Sequence, residues 1–327
     1  MIVTLSETAA ILASAQRVVI TAHGNPDGDA IGSSLGLMHI LRSLGKDARV
    51  LLDDDIPAIF AVLPGYDIIG RPSTEEEPIE ADLVVVLDTS TDRTGCTLQA
   101  VKAPHLLNID HHQTNDAAAE YTYVARARAA TAEIIYDLTR ELPVKMTKDM
   151  AMCIYTGLAT DTGFFRFSNT TSHTMRAAAE MLDLGVEPNV ISESLEQKPY
   201  KTVRDIGEAI SMTKMFADGH AAGIFLDEAT TARMQSTEAF IGMIRVIQGV
   251  DIAVVLKVKE KDICRVSMRS KGIDVSRIAL QFGGGGHTRA AGCTLLMPFE
   301  DAKRTICEAI VKAIREHQDA QVKRENP

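Results

Sequence analysis

The chain has 327 residues, a formal net charge of −10 and a hydrophobic fraction of 46%. One hydrophobic core rarely holds this many residues, so two domains are expected. The acidic balance argues against long nucleic acids, including long duplex DNA, as the main ligand, because proteins that bind them usually present a basic face. Small phosphorylated ligands stay compatible with it, since bound cations would reverse the local field.

The five cysteines are scattered and form no CxxC pair. This spacing fits neither a disulfide framework nor a zinc ribbon, and reduced thiols in a cytosol are expected. The N-terminus lacks a basic stretch followed by a long apolar run. No segment approaches the roughly 18 apolar residues of a membrane span. The sequence therefore predicts a cytoplasmic protein with no membrane partner.

The first half of the chain alternates short apolar runs with amphipathic stretches. The predicted elements are a helix at 5–16, strands at 18–22, 50–52, 83–87 and 105–109, and helices at 31–44, 132–141 and 148–159. The strands are apolar throughout, which is typical of parallel strands covered on both faces by helices. The predicted fold class is therefore α/β, with a mainly parallel N-terminal sheet flanked by helices.

The alternation of short apolar runs with amphipathic stretches ends near residue 170, where two helical stretches lead to a proline. We place a linker at 186–205, between a first domain at 1–185 and a second at 206–327. The elements predicted for the second domain are strands at 224–226, 253–258 and 264–268 and helices at 237–248, 275–282 and 299–318. They indicate a smaller α/β domain, and the tail from Ala320 is expected to fray.

A first polar cluster, His23 to Asp29, follows the first predicted strand and contains Asp27 and Asp29. Taken alone, it fits a tight turn with an aspartate helix cap as well as it fits a ligand loop. Carboxylates combined with imidazole suit Mn, Fe or Mg better than a structural zinc.

Three further segments end in polar residues: Asp88 ends a strand, Asp110-His111-His112 closes another, and Asp161 follows an apolar helix. Each carboxylate alone also fits a turn or a helix cap. Ligands in open α/β sheets bind outside the carboxyl ends of the strands, so these side chains are expected at one rim. Together the segments supply enough ligands for two divalent ions if one carboxylate bridges them, an arrangement suited to phosphoryl transfer.

These motifs, in this order, resemble those of the DHH phosphoesterase superfamily, and Gly283 to His287 resembles the signature of the DHH-associated domain. The resemblance spans almost the whole chain. Within the superfamily it points to the NrnA-type group of cytoplasmic oligoribonucleases and pAp phosphatases. It implies two divalent ions, usually Mn²⁺, a homodimer, and a substrate bound in the cleft between the domains.

The resemblance also implies roles for individual residues. His23 and Asp27 would hold one ion, and Asp29, His111 and Asp161 the other, with Asp88 bridging both. His112 would contact the scissile phosphate, and Asp110 would orient the histidines. The implied substrate-binding residues are Arg269, Gly284, Gly285, Gly286 and His287.

The second domain offers separate support for phosphate binding. Residues 257–277 contain seven basic and three acidic side chains within an acidic protein. On a strand, Arg265, Ser267 and Arg269 would share one face. This face could be simply solvated or could bind phosphate. The glycine run could be a hinge, or its free amides could bind phosphate.

The expected function is metal-dependent hydrolysis of short oligoribonucleotides to mononucleotides, with removal of the 3′-phosphate of pAp. Three alternatives stay open: a phosphodiesterase for linear or cyclic dinucleotides such as pApA, an inorganic pyrophosphatase of the same superfamily, and a non-catalytic nucleotide-binding regulator. The pyrophosphatase relatives typically carry a basic Arg-Lys signature where this chain has Gly283 to His287. A regulator would be expected to lack a metal ligand, and this sequence has all six.

Overall fold

The computed structural model describes residues 1–72, 78–234 and 238–325, and for residues 238, 287 and 323–325 it describes the backbone alone. The chain divides into two compact units, Met1–Gln197 and Lys198–Pro327. The division falls inside the segment predicted as a linker. None of the helices in the described part of the chain combines the length and the apolar character that a membrane span requires.

The first unit is built on a parallel sheet, as the continuous apolar runs predict. Its strands are β1 (Arg17–Thr21), β2 (Asp47–Val50), β3 (Ile79–Glu80), β4 (Leu83–Leu87), β5 (Val101–Lys102), β6 (His105–Asp110) and β7 (Tyr121–Val124). The main sheet has the order β2-β1-β4-β6-β7 with every neighbouring pair parallel, and β3 pairs separately with β5. The carboxyl ends of its strands therefore meet at one edge.

The helices of the first unit cover this sheet mainly on one side. They are α1 (Leu5–Ser14), α2 (Gly28–Ser43), α3 (Thr97–Ala100), α4 (Thr131–Glu141), α5 (Lys148–Asp161), α6 (Ser172–Asp183) and α7 (Pro188–Glu196). Ile20 and Val85 point into a large core with α2, α4 and α5, whereas Val19 and Val84 point into a smaller core that includes Leu98 of α3. Burial on both faces explains why β1 and β4 are apolar at successive positions.

The second unit contains a mixed sheet. Its elements are α8 (Tyr200–Ser211), β8 (Lys214–Phe216), β9 (Ala221–Leu226), α9 (Glu228–Arg233), α10 (Glu238–Arg245), β10 (Ile252–Glu260), β11 (Ile263–Ser270), α11 (Val275–Leu280), β12 (Gly285–His287), β13 (Ala290–Leu296) and α12 (Phe299–Glu325). The strand order is β12-β13-β11-β10-β9-β8, in which β9 and β10 are parallel and the other neighbours are antiparallel.

The two faces of this mixed sheet are covered to different extents. One face packs against α11 and α12 along β10, β11 and β13. On the other face, the core formed with α8 and α10 takes its strand residues from β9 and β10, and includes none from the described residues of β11 and β13. Part of β11 and β13 is therefore left open on that face.

Several predicted elements differ from the structure. The strand predicted at 50–52 lies at Asp47–Val50, because this edge strand alternates exposed and buried residues and carries polar residues at its start. The helix predicted to end at residue 318 continues to Glu325. Strands β7, β12 and β13 were not predicted. Residue 237, the predicted start of α10, lies outside the described residues.

The predicted linker at 186–205 contains α7 and the start of α8. Helix α7 belongs to the first unit: Ile191 is fully buried in its core, and the Ser194 hydroxyl donates to the carbonyl of Ile59 over 2.8 Å. The first domain, predicted to end at residue 185, therefore leaves out α7, and the predicted start of the second domain at residue 206 falls inside α8, which packs in the second unit.

Helices α2 and α5 cross at glycine. A Cβ atom placed on Gly32 would lie 2.4 Å from the carbonyl oxygen of Cys153 and 2.8 Å from the amide nitrogen of Gly157. Backbone atoms inside a buried helix cannot move aside cheaply, so this crossing needs glycine. Because α2 begins at the polar loop His23 to Asp29, the close packing also positions that loop.

Replacing Gly32 with alanine should lower the free energy of unfolding by about 1–3 kcal/mol, because the added methyl group overpacks the crossing. Alanine at an open glycine within a helix usually stabilises, by about 0.5–1 kcal/mol. Gly207→Ala in α8 is the matched control, since its Cβ would meet nothing within 4 Å. Urea denaturation should show opposite shifts for the two variants. A stabilised Gly32→Ala protein would contradict this account of the crossing.

Candidate metal centre

Polar side chains from four segments meet at the carboxyl edge of the parallel sheet. The ligand atoms of His23, Asp27 and Asp88 lie within 4.8 Å of one another, and so do those of Asp29, His111 and Asp161. A third, overlapping group joins Asp88 and His111 to Asp110 and His112. All six residues predicted as metal ligands thus lie together, beside an open cavity of about 460 Å³.

His23 and His111 are oriented alike. The Nδ1 atom of His23 lies 2.8 Å from the carbonyl oxygen of Gly24, and Nδ1 of His111 lies 3.3 Å from that of Arg128. Each carbonyl selects the tautomer with a proton on Nδ1, and Nε2 then faces the carboxylates. A ring nitrogen bonded to a backbone carbonyl, with the other directed at a site, is the usual arrangement of a metal-ligating histidine.

Asp88 lies between the two groups of ligands. Its Oδ2 atom is 3.6 Å from Nε2 of His23, and its Oδ1 atom is 3.4 Å from Nε2 of His111. The Thr131 hydroxyl also donates to Oδ1 over 3.0 Å. The side chain is nearly fully buried, and its backbone adopts a left-handed conformation with φ of 61°. Such a conformation costs about 1–2 kcal/mol for a residue other than glycine and is frequent at functional sites.

Asp29 belongs to α2, and its fully buried side chain faces the N-terminus of α4. Its two oxygens accept hydrogen bonds from the backbone amides of Thr131 and Ala132, over 2.6 and 2.8 Å. Burial and the neighbouring carboxylates of Asp88 and Asp161 nevertheless raise its pKa well above the ordinary value. The helix terminus compensates the charge only in part, so a cation at this position would be strongly favoured.

Asp27 and Asp161 both lie at helix ends. Asp27 caps α2, since its Oδ1 atom accepts from the amides of Asp29 and Ala30, and it also lies 3.9 Å from Nε2 of His23. The cap and the ligand interpretations are therefore compatible. Asp161 ends α5, and burial, with repulsion from Asp88, raises its pKa to about 7. A carboxylate at a helix C-terminus opposes the helix dipole, which again favours a cation nearby.

Asp110 holds His112 in place rather than facing the two groups of ligands. Its Oδ1 atom accepts from the amides of His111 and His112 and lies 2.7 Å from Nδ1 of His112. Its Oδ2 atom accepts from the Asn115 side-chain amide over 2.6 Å. Burial opposes its ionisation, but the hydrogen bonds from His112 and Asn115 outweigh burial and lower the pKa of Asp110.

Four carboxylates and two imidazoles match the preferences of Mn²⁺, Fe²⁺ or Mg²⁺, which favour oxygen ligands with some nitrogen. The electrostatics agree, because burial and mutual repulsion raise the pKa of Asp29 and of Asp161. The residues therefore fit a centre with two divalent ions.

Comparison with known proteins agrees with this arrangement. Residues 17–158 match the DHH family N-terminal domain, and residues 218–316 match the DHHA1 domain. The bifunctional oligoribonuclease and PAP phosphatase NrnA of Thermus thermophilus is 36% identical over 296 residues, covering 90% of this chain and 89% of that protein. The protein belongs to the DHH family.

A further relative and two solved structures are also similar to most of this chain. The protein of the same name from Bacillus subtilis is 27% identical over 89% of this chain and 93% of its own. An exopolyphosphatase-related protein from Bacteroides fragilis superposes with a TM-score of 0.86 at 27% identity, covering 94% of this chain and 96% of that one. RecJ of Thermus thermophilus, solved in complex with Mn²⁺, shares the fold with a TM-score of 0.55 at 13% identity, over 95% of this chain and 55% of RecJ.

Several residues that support the candidate metal centre were not predicted from the sequence. Thr131 and Asn115 hold Asp88 and Asp110, and Asn108 joins Asn115 to the carbonyl oxygens of Val86 and Thr89. Arg93 lines the cavity and is exposed. Thr131 at the start of an amphipathic helix was the one available signal, since threonine often begins helices. The asparagines lie in no pattern that marks them.

Four of the five substrate-binding residues predicted for the second unit, Arg269, Gly284, Gly285 and Gly286, line another cavity of about 570 Å³. Gly286 has a φ of 137°, and a Cβ on Gly284 would lie 2.2 Å from the carbonyl oxygen of Gly292, so both positions require glycine. The backbone of His287 belongs to β12, where it pairs with Ala290. The glycine run thus begins a strand rather than forming a free hinge.

Metal affinity should depend steeply on pH. Without metal, hydrogen bonding to Asp88 raises the pKa of His23 to about 9. Burial opposes the charge of His111, but Asp88 and Asp161 raise its pKa to about 9 as well. Both protons must leave before the imidazoles coordinate, so affinity should rise with pH up to about 9 and level off above it, by as much as roughly tenfold per pH unit for each proton.

Calorimetric titration with Mn²⁺ or Mg²⁺ in buffers of different ionisation enthalpy would count the protons released. We expect at least two near pH 7.5, one from each histidine, and a further contribution from Asp29 and Asp161, whose pKa values are also raised. Binding without proton release and independent of pH would contradict the assignment of His23 and His111 as ligands.

Proposed function

We propose that this protein is a phosphoesterase that uses two divalent ions, Mn²⁺ in particular, to hydrolyse short oligoribonucleotides to mononucleotides and to remove the 3′-phosphate of pAp. The observation that carries the proposal is the position of Asp88, whose two oxygens face two separate groups of ligands. A bridging carboxylate is what a two-ion centre requires. The relatives named oligoribonuclease and PAP phosphatase support the choice of substrate.

In this proposal His23, Asp27 and Asp88 hold one ion, and Asp29, His111 and Asp161 hold the other together with Asp88. The ions supply Lewis-acid polarisation of the phosphoryl group and make water a better nucleophile near neutral pH. The protein keeps the ligands in position through the N-terminus of α4 and through the carbonyls bonded to both histidines.

His112 is proposed to bind the scissile phosphate. Because Asp110 holds its Nδ1 atom, Nε2 is the ring nitrogen left for a phosphate oxygen. The hydrogen bond that His112 donates to Asp110 raises the pKa of His112, and the effect exceeds that of burial. The protonated ring would then offer a charge-assisted hydrogen bond to the phosphate, which is stronger than a neutral one.

The second unit is proposed to bind substrate through Arg269, Gly284, Gly285, Gly286 and His287. Arg269 supplies a fixed fork of donors, which suits phosphate. A Cβ on Gly284 or Gly286 would meet the backbone of β13, and the Gly284 amide donates to the carbonyl oxygen of Ala279. These glycines therefore shape the wall of the cavity that Arg269 also lines.

Turnover of a substrate panel tests the proposal. Wild-type protein with Mn²⁺ should release mononucleotides from RNAs of two to five nucleotides and phosphate from pAp, and both activities should disappear with a chelator. The panel also contains pApA, cyclic dinucleotides, pyrophosphate and a long single strand. Cleavage of pyrophosphate alone, or of dinucleotide signals alone, would replace the proposed substrate. Tight nucleotide binding without any turnover would identify a regulator.

Asp88→Asn keeps the shape of the side chain and removes the charge shared by both ions. It should lower turnover by roughly a thousandfold or more, since transition-state stabilisation at the phosphoryl group is lost. Calorimetry should also show fewer than two bound ions. Asp116→Asn is the matched control, because Asp116 lines the same cavity and belongs to neither group of ligands. Equal activities of the two variants would exclude Asp88 as the bridge.

A further inference from the structure

Residues 128–132, here called the support segment, lie where the loop after β7 joins α4, and they contact several ligands of the candidate metal centre. The carbonyl oxygen of Arg128 lies 3.3 Å from Nδ1 of His111. Two backbone amides of the segment donate to the oxygens of Asp29, over 2.6 and 2.8 Å, and its threonine hydroxyl donates to Asp88. The segment therefore fixes how these three ligands are oriented.

The support segment is also joined to Asp161. The side-chain amide of Asn169 donates to the carbonyl oxygens of Ala129 and Asp161, over 3.1 Å each. By contrast, His23 bonds to a carbonyl of its own loop, and Asp27 accepts from amides at the start of α2. All members of the ligand group that contains Asp161 are thus connected to the segment, and the other group meets it at the shared bridge.

Two acidic side chains of α4 bind the support segment. Glu133 is fully buried, and one of its oxygens accepts from the amide of Ala129 over 2.7 Å. Asp137, one turn later, is also buried, and one of its oxygens accepts from Nε of Arg128 over 2.7 Å. Hydrogen bonds to an ionised group are stronger than neutral ones, and a buried donor that loses its acceptor is costly. These two carboxylates therefore hold the start of the segment.

Helix α6 occupies the remaining oxygen of each carboxylate. The Thr174 hydroxyl donates to Glu133 over 2.7 Å, and Nε2 of His173 lies 2.8 Å from Asp137. These adjacent residues lie in the first turn of α6, which begins with a capping box. A buried polar network in which every member has a partner keeps a single arrangement. The support segment is therefore held in position by side chains that lie outside both groups of ligands.

We propose that Asp137 and Glu133 are positioning residues for one of the two ions, the one assigned to the group that contains Asp161. The inference rests on the two-ion centre of the proposed function and does not depend on the substrate. Neither carboxylate is a ligand, so each acts through the support segment. Groups that orient metal ligands typically contribute about 10- to 100-fold to metal affinity. Because the segment contacts every member of one group, the contribution should be confined to one ion.

Calorimetric titration of the full chain with Mn²⁺ tests the inference. Asp137→Asn keeps the size of the side chain but turns an N–H donor towards Arg128 or His173, so one of the two hydrogen bonds is lost. It should weaken the binding of one ion by about tenfold or more and leave the other nearly unchanged. Arg128→Ala breaks the same pair and should have the same effect, and the double variant should weaken binding no further.

Two further comparisons identify the ion that is affected. The effect of Asp137→Asn should persist in a His23→Ala background and become much smaller in a His111→Ala background, because the contacts of Asp137 reach the centre at His111. His173→Gln retains a side-chain amide that can donate to Asp137. It should therefore keep more of the affinity than His173→Ala.

Asp82→Asn is the matched control. Asp82 pairs with Arg17 over 2.8 Å at the amino edge of the parallel sheet, and it also accepts from backbone amides. The variant disrupts an aspartate–arginine pair of the same unit and should leave the affinity for both ions unchanged. Urea denaturation without added metal measures the stability that each variant loses, so a general loss of stability can be separated from a loss confined to one ion.

A loss confined to one ion in both Asp137→Asn and Arg128→Ala supports the inference. An equal loss for both ions, no loss in either variant, or the same loss in Asp82→Asn would overturn it while the proposed function stands. A protein that shows the selective loss but hydrolyses none of the nucleotides would overturn the proposed substrates and still support the inference. Wild-type protein that binds no divalent ion would overturn both.

Discussion

Mutual repulsion among buried carboxylates is the constraint on which the first unit depends. Asp29, Asp88 and Asp161 are held close together where little water can screen them. Burial and mutual repulsion raise the pKa of Asp29 and of Asp161, whereas the neighbouring histidines outweigh burial and lower the pKa of Asp88. The fold compensates this charge with the N-terminus of α4 and with the imidazoles of His23 and His111. Divalent cations, as proposed, would complete the compensation. The same electrostatic strain that disfavours the metal-free centre therefore favours the metal-bound one.

The parallel sheet is what allows such a centre to form. Because β1, β4 and β6 run in the same direction, the loops after them converge at one edge, and the glycine crossing of α2 and α5 brings Asp29 and Asp161 to the same edge. The second unit uses a different principle. Its mixed sheet leaves part of one face without a covering helix, and Arg265 and Arg269 occupy that face with no acidic partner among the described residues. The first unit thus concentrates negative charge for cations, and the second presents positive charge suited to phosphates.

The sequence predicted the ligand residues of the metal centre better than it predicted the residues that hold those ligands in place. A short-range pattern, a polar residue at the end of an apolar strand, identified His23, Asp88 and Asp110, because strand ends in parallel sheets share an edge. The contacts of Thr131 with Asp88 and of Asn115 with Asp110 span 43 and 5 residues and follow no periodic pattern. The edge strand β2 was misplaced for a related reason. Its exposed face gives it an alternating pattern, whereas the apolar pair that follows it is buried by tertiary contacts.

By itself, the sequence determined the α/β class, the parallel character of the first sheet, and the set of residues able to bind metal. These follow from local composition and from the two-residue and helical periodicities, which a chain expresses before it folds. Only the tertiary structure decided that Asp88 stands between two groups of ligands, that α4 directs its amides at Asp29, and that part of one face of β11 is left open. Those features depend on how distant segments pack against one another, and burial and electrostatic coupling exist only once that packing is in place.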